Sequence, residues 1–487
     1  MKTGASEAFA RVPTQLMTML HCLPDYLIFS DMEQNIGGQQ IHDSLATVLS
    51  EAQEGNSDFD LYRRQKACLV DQENCNKQGD PSKEGWSLDK YKNIHMAEKA
   101  YAMRPGYDWY LFVDADSYVL WSNMVQWLER LDPTEKLYLG SETLINGFSF
   151  AHGGSGYVIS KAAMQALAGE HAGVANEYDV RAKNECCGDY LFAVALKNKT
   201  EVGVKNTVRS TVFLLLIISL GRQVSYIPCP LFGDDAALRP IKNGSCVPRL
   251  RRGSKADTEP NSQPSHTHTT LPPMLTPISQ WPTINGEKPS TLPFGPSHWC
   301  QPIVTMHHMN SEEINTFWHF ERRRQLALAE SSNLPPSHQP PLLLRDIYAA
   351  FLAPHLNATR DDWDNDAERT FYLPPPSSPN DKKEWPDWQV ERTKKPEDMN
   401  ALERKAHESF AACGAACKSL AGEECFRYRY RDGVCSTGNA FVMGRPVKKE
   451  EGAKRVMSGW DVEKIHAWVE GREACGKVNW PAVKKGR

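Results

Sequence analysis

Two aspartates follow one strongly apolar stretch of the chain. Residues 112–119 are Phe-Val-Asp-Ala-Asp-Ser-Tyr-Val, so Asp114 and Asp116 stand directly after a predicted buried strand. Because side chains two residues apart in an extended chain point to one side, both carboxylates can face the same ligand. Hard divalent cations prefer oxygen ligands, and a cation held here could bridge a diphosphate. Acidic pairs also occur as loop caps. The metal interpretation is strengthened by the strand before this pair and the aromatic helix after it, but these elements do not exclude a cap.

A histidine pair could complete such a site. His307 and His308 follow the predicted strand 303–306. A manganese-like ion accepts both oxygen and nitrogen ligands, so an imidazole could join the two aspartates around one cation. A surface histidine pair is more often without function, and the pair alone does not decide between these interpretations.

A third acidic residue lies at the start of an apolar helix. Residues 184–189 are Asn-Glu-Cys-Cys-Gly-Asp, and the predicted helix 190–196 follows. A carboxylate presented there could act as a general base. It could equally cap the helix, and taken alone Asp189 is better explained as a cap.

A glycine-rich turn precedes another predicted strand. Gly153, Gly154, Ser155 and Gly156 run into the apolar residues 157–159. Glycine lets the backbone approach a ligand closely, although a tight turn has the same composition. The elbow of a serine hydrolase needs glycines two residues before and two after the serine, and the second position holds Tyr. The spacing therefore excludes that class.

Alternating strands and helices must position these groups. This alternation predicts an α/β sheet with functional groups at the strand ends. The predicted strands are residues 22–31, 107–113, 137–139 and 303–306, and the predicted helices are residues 91–103, 123–131, 161–167 and 312–328.

Composition excludes several classes of protein. The 487 residues correspond to two or three domains at roughly 150 residues each. Lys and Arg total 56 against 60 Asp and Glu, a net charge of −4, which argues against nucleic-acid binding and a polybasic membrane surface. A mean hydropathy of −0.52 excludes a polytopic membrane protein. The apolar run 212–220 is too short to span a bilayer.

Cysteine usage indicates an oxidising compartment. The chain has 13 cysteines, and several crowd the C-terminus. Cys413 and Cys417 lie one turn apart on a predicted helix that faces Cys425 and an alternating strand. Two disulfides joining a helix to a strand are favoured over zinc, because the spacing lacks the short pairs of a zinc ribbon. No signal segment is visible. We therefore expect the N-terminus to be incomplete.

Composition also suggests boundaries along the chain. Residues 200–280 lack periodicity and form an unusually long predicted loop, which we interpret as an aberrant or disordered insert that the fold does not need. We expect three parts: a domain over 1–330 that carries the candidate site residues, a Pro-rich connector over 331–400 and a cysteine-rich module over 401–487.

Several motifs together resemble a known family. In chain order they are KTGASEAF, CLPDYLIFSD, YDWYLFVDADSYV, HGGSGYVIS, NECCGDYLFAVAL and WPTINGEKPSTLPFGPSHWCQPIVTMHHM. These look like fungal glycosyltransferase family 31 proteins, relatives of the core 1 β1,3-galactosyltransferases and of Fringe. The resemblance covers about residues 1–198 and 281–330. The C-terminal module is similar to PAN/Apple domains, on the weaker basis of cysteine spacing.

The resemblance implies a GT-A fold, a UDP-sugar donor, Mn²⁺ or another divalent cation, and inversion at the anomeric carbon. It implies that Asp114, Asp116 and His307 bind the metal and that Asp189 is the catalytic base. The donor-binding positions implied are Lys2, Thr3, Gly4, Asp31, Lys92 and Asp114, and those beside the acceptor are Gly153, Gly154, Ser155 and Gly156.

The resulting hypothesis is an inverting hexosyltransferase of the Golgi or secretory lumen, transferring galactose in β1,3 linkage to a glycan or glycoprotein acceptor. Its membrane contact would be an N-terminal anchor outside this chain, as in a type II membrane protein. The alternative is a carbohydrate-binding protein without catalysis that uses the same cleft and the PAN-like module. The co-occurrence of Asp114, Asp116, Asp189 and His307 favours the enzyme, since a lectin does not need all four.

Overall fold

The computed structural model describes residues 1–68, 72–206, 289–296, 298–332, 339–375, 385–447, 455–472, 474–476, 478 and 480. The chain divides into two units. The first comprises Met1–Gly286, Ile303–Pro341 and Trp480–Arg487, and the second comprises Glu287–Pro302 and Leu342–Asn479. Most of the predicted insert 200–280 lies outside the described residues.

The first unit alternates strands and helices as predicted. Its strands are β1 (Ile28–Ser30), β2 (Gln34–Ile36), β3 (Gln39–Asp43), β4 (Trp109–Phe112), β5 (Tyr118–Val119), β6 (Tyr138–Gly140), β7 (Glu142–Ile145), β8 (Phe148–Ala151), β9 (Tyr157–Ser160), β10 (Lys205–Asn206) and β11 (Thr305–Met306). Its helices are α1 (Ala8–Met17), α2 (Ser50–Gln53), α3 (Asp60–Ala67), α4 (Gln72–Asn76), α5 (Pro81–Asp89), α6 (Lys92–Met103), α7 (Trp121–Leu128), α8 (Lys161–Met164), α9 (Val174–Ala182), α10 (Gly188–Thr200) and α11 (Ser311–Ser332).

Residues 1–3 join two sheets of this unit. One sheet has the strand order β1-β3-β2 and the other β10-β6-β9-β4. Lys2 forms parallel bridges to both Phe29 and Asp114. Its N–H donates to the carbonyl of Val113 at 2.8 Å, and the N–H of Thr3 donates to that of Phe29 at 2.9 Å. The loop after Lys2 is therefore held beside the turn that carries the two aspartates.

Apolar side chains pack on both faces of the strands. Along β4, Tyr110 and Phe112 belong to one core cluster, while Trp109 and Leu111 pack against another. On the first face, Phe112 stacks on Tyr157 at 5.1 Å between ring centroids, and Tyr157 stacks on Phe192 of α10 at 5.2 Å. This aromatic stack ties the end of β4 to the helix that begins at Gly188, and thus places Asp189 near the end of β4.

The second unit is built on a five-stranded antiparallel sheet of order β12-β18-β15-β16-β14. Its strands are β12 (Thr359–Asp361), β13 (Trp363–Asp364), β14 (Thr370–Tyr372), β15 (Arg427–Arg431), β16 (Val434–Gly438), β17 (Arg445–Pro446) and β18 (Met457–Trp460). Its helices are α12 (Leu344–Ile347), α13 (Asp387–Glu391), α14 (Phe410–Ser419) and α15 (Val462–Glu470).

Disulfides join α14 to this sheet, as predicted. Cys413 bonds to Cys435 in β16, and Cys417 bonds to Cys425 just before β15. All four sulfur-bearing residues are fully buried. The predicted disulfides between a helix and a strand region are therefore confirmed.

The boundary of this unit differs from the expected one. Residues 331–400 were expected to be a connector, but β12 and β14 lie within that range and pair with β18 and β16. Each is only three residues long, and the pattern of so short a strand does not stand out beside proline-rich runs. Their pairing depends on contacts with strands far along the chain.

No helix among the described residues is both long enough and apolar enough to cross a membrane.

Candidate active site

The two aspartates lie in a turn between β4 and β5. The carbonyl of Lys2 accepts from the N–H of Ala115 at 2.8 Å. The buried Gln15 amide of α1 donates to the carbonyls of Ala115 and Ser117 at 2.8 and 2.9 Å. These bonds fix the backbone on both sides of Asp116, whose side chain is 18% exposed. The carboxylate is thus partly open to solvent on a rigid turn.

Asp116 forms a group with the predicted histidine. The Nε2 atom of His307 lies 3.1 Å from Oδ1 of Asp116. Ligand atoms of Asp116, His307 and His308 all lie within 4.8 Å of one another. Among the described residues, the buried Nδ1 atom of His307 has no hydrogen-bond partner. One carboxylate with two imidazoles, including an unsatisfied ring nitrogen, is a donor set that suits a Mn²⁺-like cation.

A glycine makes room for this histidine. A Cβ atom added to Gly154 would lie 2.1 Å from Cε1 of His307. The carbonyl of Gly154 accepts from the hydroxyl of Ser117 at 2.7 Å, which holds the glycine turn against the aspartate turn. His308 itself has a positive φ of 59°. The close approach of these three segments brings residues far apart in sequence into one site.

Charge pairing sets the protonation of this group. Burial alone would raise the pKa of Asp116, but His307 and Arg11 outweigh it and hold that pKa well below its usual range. Burial alone would lower the pKa of His307, but Asp116 outweighs it and raises that pKa. The two side chains therefore form a charged pair. A bound divalent cation would take the place of the imidazole proton as the partner of the carboxylate.

Asp114 has different partners. Its Oδ1 atom lies 3.3 Å from Nζ of Lys2, whose ammonium also donates to Oδ2 of Asp89 at 2.5 Å. Burial raises the pKa of Asp114 although Lys2 opposes this shift. The structure thus groups Asp114 with a lysine of the first loop, while the assignment of Asp114 to the metal stays a prediction.

Asp31 and Lys92 contact the loop of Lys2, Thr3 and Gly4 through buried side chains. The Lys92 ammonium lies 3.4 Å from Oδ1 of Asp31 and donates to the carbonyl of Thr3 at 3.3 Å. The side chains of Lys92 and Asp31 are only 2% and 0% exposed. Oδ1 of Asp31 also accepts from the N–H of Ala5. With so little exposure, this pair can shape the loop of Lys2, Thr3 and Gly4 but has little surface to offer a donor.

Asp189 contacts the glycine turn. Its Oδ2 atom accepts from the N–H of Gly153 at 2.7 Å, and its Oδ1 atom accepts from the N–H of Tyr190 at 2.8 Å. The residue is half-buried. The carboxylate is therefore anchored in the first turn of α10 and partly accessible, which fits a base. The N-cap residue of α10 is Cys187, so the interpretation of Asp189 as the cap is wrong.

The remaining residues of the glycine turn are internal. The buried Ser155 hydroxyl lies 2.8 Å from Nδ1 of His152. Gly156 has a φ of +84°, and a Cβ there would lie 2.9 Å from Cγ1 of Val113. Ser155 and Gly156 therefore shape the turn rather than present a side chain to an acceptor.

Three further residues belong to this site. Arg11 of α1 lies 3.5 Å from Asp116, Asp89 ends α5 in contact with Lys2, and the His152 ring lies 5.7 Å from that of His307. Sequence reasoning did not select them. Asp89 stands three residues before Lys92 and His152 directly precedes the glycine turn, so proximity to a motif was a usable signal for both. No sequence signal marked Arg11, because only the packing of α1 brings it close to Asp116.

One comparison with known proteins covers the part of the chain that contains most of these residues. Residues 62–214 match a family model described as Fringe-like. The matched range includes Asp114, Asp116, the glycine turn and Asp189, whereas Lys2 and His307 lie outside it. No curated protein matches the chain. The region 62–214 is thus similar to Fringe-like glycosyltransferases, which supports a GT-A-like glycosyltransferase domain in this part of the chain.

Proposed function

We propose that this protein transfers a hexose from a UDP-sugar to a glycan or glycoprotein acceptor with inversion of the anomeric centre. One observation carries the proposal: a carboxylate suited to be a base, Asp189, is hydrogen-bonded to the same glycine turn that packs on the group of Asp116 and His307. Galactose transferred in β1,3 linkage is the specific reaction that the family resemblance implies.

The reaction is a single in-line displacement. Asp189 accepts the proton of the acceptor hydroxyl as its oxygen attacks the anomeric carbon, and UDP leaves from the opposite face. The Gly153 N–H holds the carboxylate in place, and proton transfer requires that fixed position. One attack without a covalent intermediate inverts the configuration.

Positive groups face the leaving diphosphate. Asp116 and His307 would hold a divalent cation such as Mn²⁺, with His308 within reach. When bound, that cation supplies charge that stabilises the departing diphosphate. Arg11 and Lys2 already balance the aspartates and add cationic groups beside them. Preorganised charge of this kind is worth more in a partly buried site than in water.

The setting of the reaction is also part of the proposal. Disulfides in the second unit fit an oxidising lumen, and we assign the protein to the secretory pathway, in the Golgi, for glycosylation of proteins. Attachment through an N-terminal anchor and a PAN/Apple-like identity for the second unit rest on the sequence resemblance. The second unit would contribute binding of glycan or protein.

UDP release is the direct test. The purified protein is incubated with Mn²⁺, a panel of UDP-hexoses and an O-linked glycopeptide acceptor, and the Asp189→Asn variant serves as the control that retains shape. Acceptor-dependent UDP release with UDP-galactose, lost in that variant, is the expected result. Binding of glycans without turnover of any donor would instead establish the carbohydrate-binding alternative.

A further inference from the structure

Two adjacent cysteines are bonded to each other immediately before the proposed base. Cys186 and Cys187 form a disulfide whose Cα atoms are 3.8 Å apart, and Asp189 follows two residues later. The bond closes a small ring that contains the peptide unit between the two residues. This ring restricts the backbone torsions of the segment that leads into α10.

The start of α10 is fixed on both sides of one glycine. The carbonyl of Cys187 accepts from the N–H of Leu191 at 3.1 Å, so Cys187 belongs to the first hydrogen-bonded turn. A Cβ atom added to Gly188 would lie 2.3 Å from Nδ2 of Asn93 and 2.8 Å from the carbonyl oxygen of Asp89. Gly188 is therefore tightly packed against the end of α5 and the start of α6. The ring before Gly188 and the packing around it therefore restrict the backbone position of Asp189.

We propose that the Cys186–Cys187 disulfide is a positioning element for Asp189, and that its reduction by a dithiol lowers turnover. This inference rests on the proposed function. In the reduction a dithiol gives two electrons and two protons; the sulfur–sulfur bond breaks, two cysteine thiols form, and the reductant is oxidised to its own disulfide. The opened segment regains torsional freedom, and the carboxylate samples positions away from the Gly153 N–H.

The bond is accessible, unlike those of α14. Both Cys186 and Cys187 are half-buried, whereas Cys413, Cys417, Cys425 and Cys435 are fully buried. A small reductant can therefore reach the ring while the two buried disulfides of α14 stay protected. The Cys68–Cys75 disulfide of the first unit is also half-buried and provides a matched comparison.

The test compares the double variant Cys186→Ser/Cys187→Ser with wild type. We expect kcat to fall about 10-fold or more, with the KM for the UDP-sugar unchanged, because a displaced base affects the chemical step rather than donor binding. Dithiothreitol should lower wild-type kcat by the same factor and leave the double variant unaffected, which also controls for binding of Mn²⁺ by the reductant. The matched variant Cys68→Ser/Cys75→Ser should keep wild-type kcat.

Two further measurements separate positioning from other effects. In an Asp189→Asn background, removal of the Cys186–Cys187 disulfide should cause no further fall in kcat, since a positioning element acts only through the group it positions. Hydrogen exchange of the α10 amides, which needs no activity, should accelerate on reduction. Unchanged exchange at Leu191 would overturn the inference even if no donor is turned over, and so would free thiols at both positions in the oxidised protein. Unchanged kcat in an active double variant would overturn it too.

Discussion

The Nη1 atom of Arg11 lies 3.5 Å from Oδ2 of Asp116, although the two residues belong to different elements of the fold. The Arg11 side chain is only 17% exposed, so its charge is directed into the site rather than into solvent. A guanidinium held beside a proposed metal ligand is suited to contact an anionic donor. We therefore expect Arg11 to contribute to binding of the UDP-sugar.

Replacing Arg11 by Met should weaken donor binding. The loss of a charge-assisted contact corresponds to about 1.5–3 kcal/mol, or roughly a 10- to 100-fold rise in the KM for the UDP-sugar. Calorimetric titration with UDP measures the same loss without turnover. The matched change Arg181→Met removes a guanidinium that is 43% exposed on α9 and should leave both values unchanged. Equal donor affinity in the Arg11 variant and wild type would remove Arg11 from the site.

Asp116 and Asp114 should respond differently to loss of charge. Asp116→Asn keeps the shape but removes the carboxylate of the group with His307, so activity should fall by about 10²-fold or more and Mn²⁺ affinity should fall with it. Direct Mn²⁺ binding, followed by electron paramagnetic resonance, separates the two effects. Asp114→Asn should reduce Mn²⁺ affinity less, because Asp114 is paired with Lys2. His307→Ala should weaken the metal dependence of activity in the same direction as Asp116→Asn. Near-normal activity of Asp116→Asn at low Mn²⁺ would show that the metal site is misassigned.

Much of this site could be predicted because its parts carry local patterns. An apolar strand ending in Asp-x-Asp, a glycine-rich turn and an apolar helix predicted over 190–196 are each visible within ten residues or so. The observed α6, β4 and α10 overlap the elements predicted there. Arg11 and the pairing of Asp114 with Lys2 were not visible, since they depend on α1 and residues 1–3 packing beside β4. Side-chain partners across such distances are decided by tertiary contacts, which no local pattern encodes.

The second unit could also be predicted only in part. Cysteine spacing predicted that α14 is tied to the strand region, because disulfide geometry limits which residues can meet. β12 and β14 were missed because a three-residue strand is stabilised by its neighbours rather than by its own sequence. The two strands could therefore be identified only from the structure of the whole sheet.

A methyl group at residue 154 should displace the metal-site histidine. A Cβ at Gly154 would clash with the His307 ring, which is itself 8% exposed and has little room to move. Gly154→Ala should therefore lower Mn²⁺ affinity and activity by about 10-fold or more, the scale expected when the support of a metal ligand is disturbed. Gly106→Ala is the control, because a Cβ there meets no atom of the described residues within 4 Å. Wild-type Mn²⁺ affinity in Gly154→Ala would mean that His307 does not need its present position.

Acid should destabilise the second unit through Asp364. Burial alone would raise the pKa of Asp364, but the Arg429 guanidinium, 2.6 Å away, outweighs burial and lowers it. A carboxyl group with a lowered folded-state pKa adds stability above its ordinary unfolded value of about 3.9, and that stability is lost as the pH falls through the folded-state pKa. Asp364→Asn should thus cost about 1–3 kcal/mol at pH 7, since the pair is largely buried, and progressively less below about pH 4. Hydrogen exchange of the β15 and β18 amides at several pH values measures this change within the second unit alone.

Asp361, whose ion pair with Arg455 is exposed on both sides, provides the control: Asp361→Asn should stay within about 0.5 kcal/mol of wild type. A cost for Asp364→Asn that does not shrink in acid would show that the pair with Arg429 is not the source of the pH dependence.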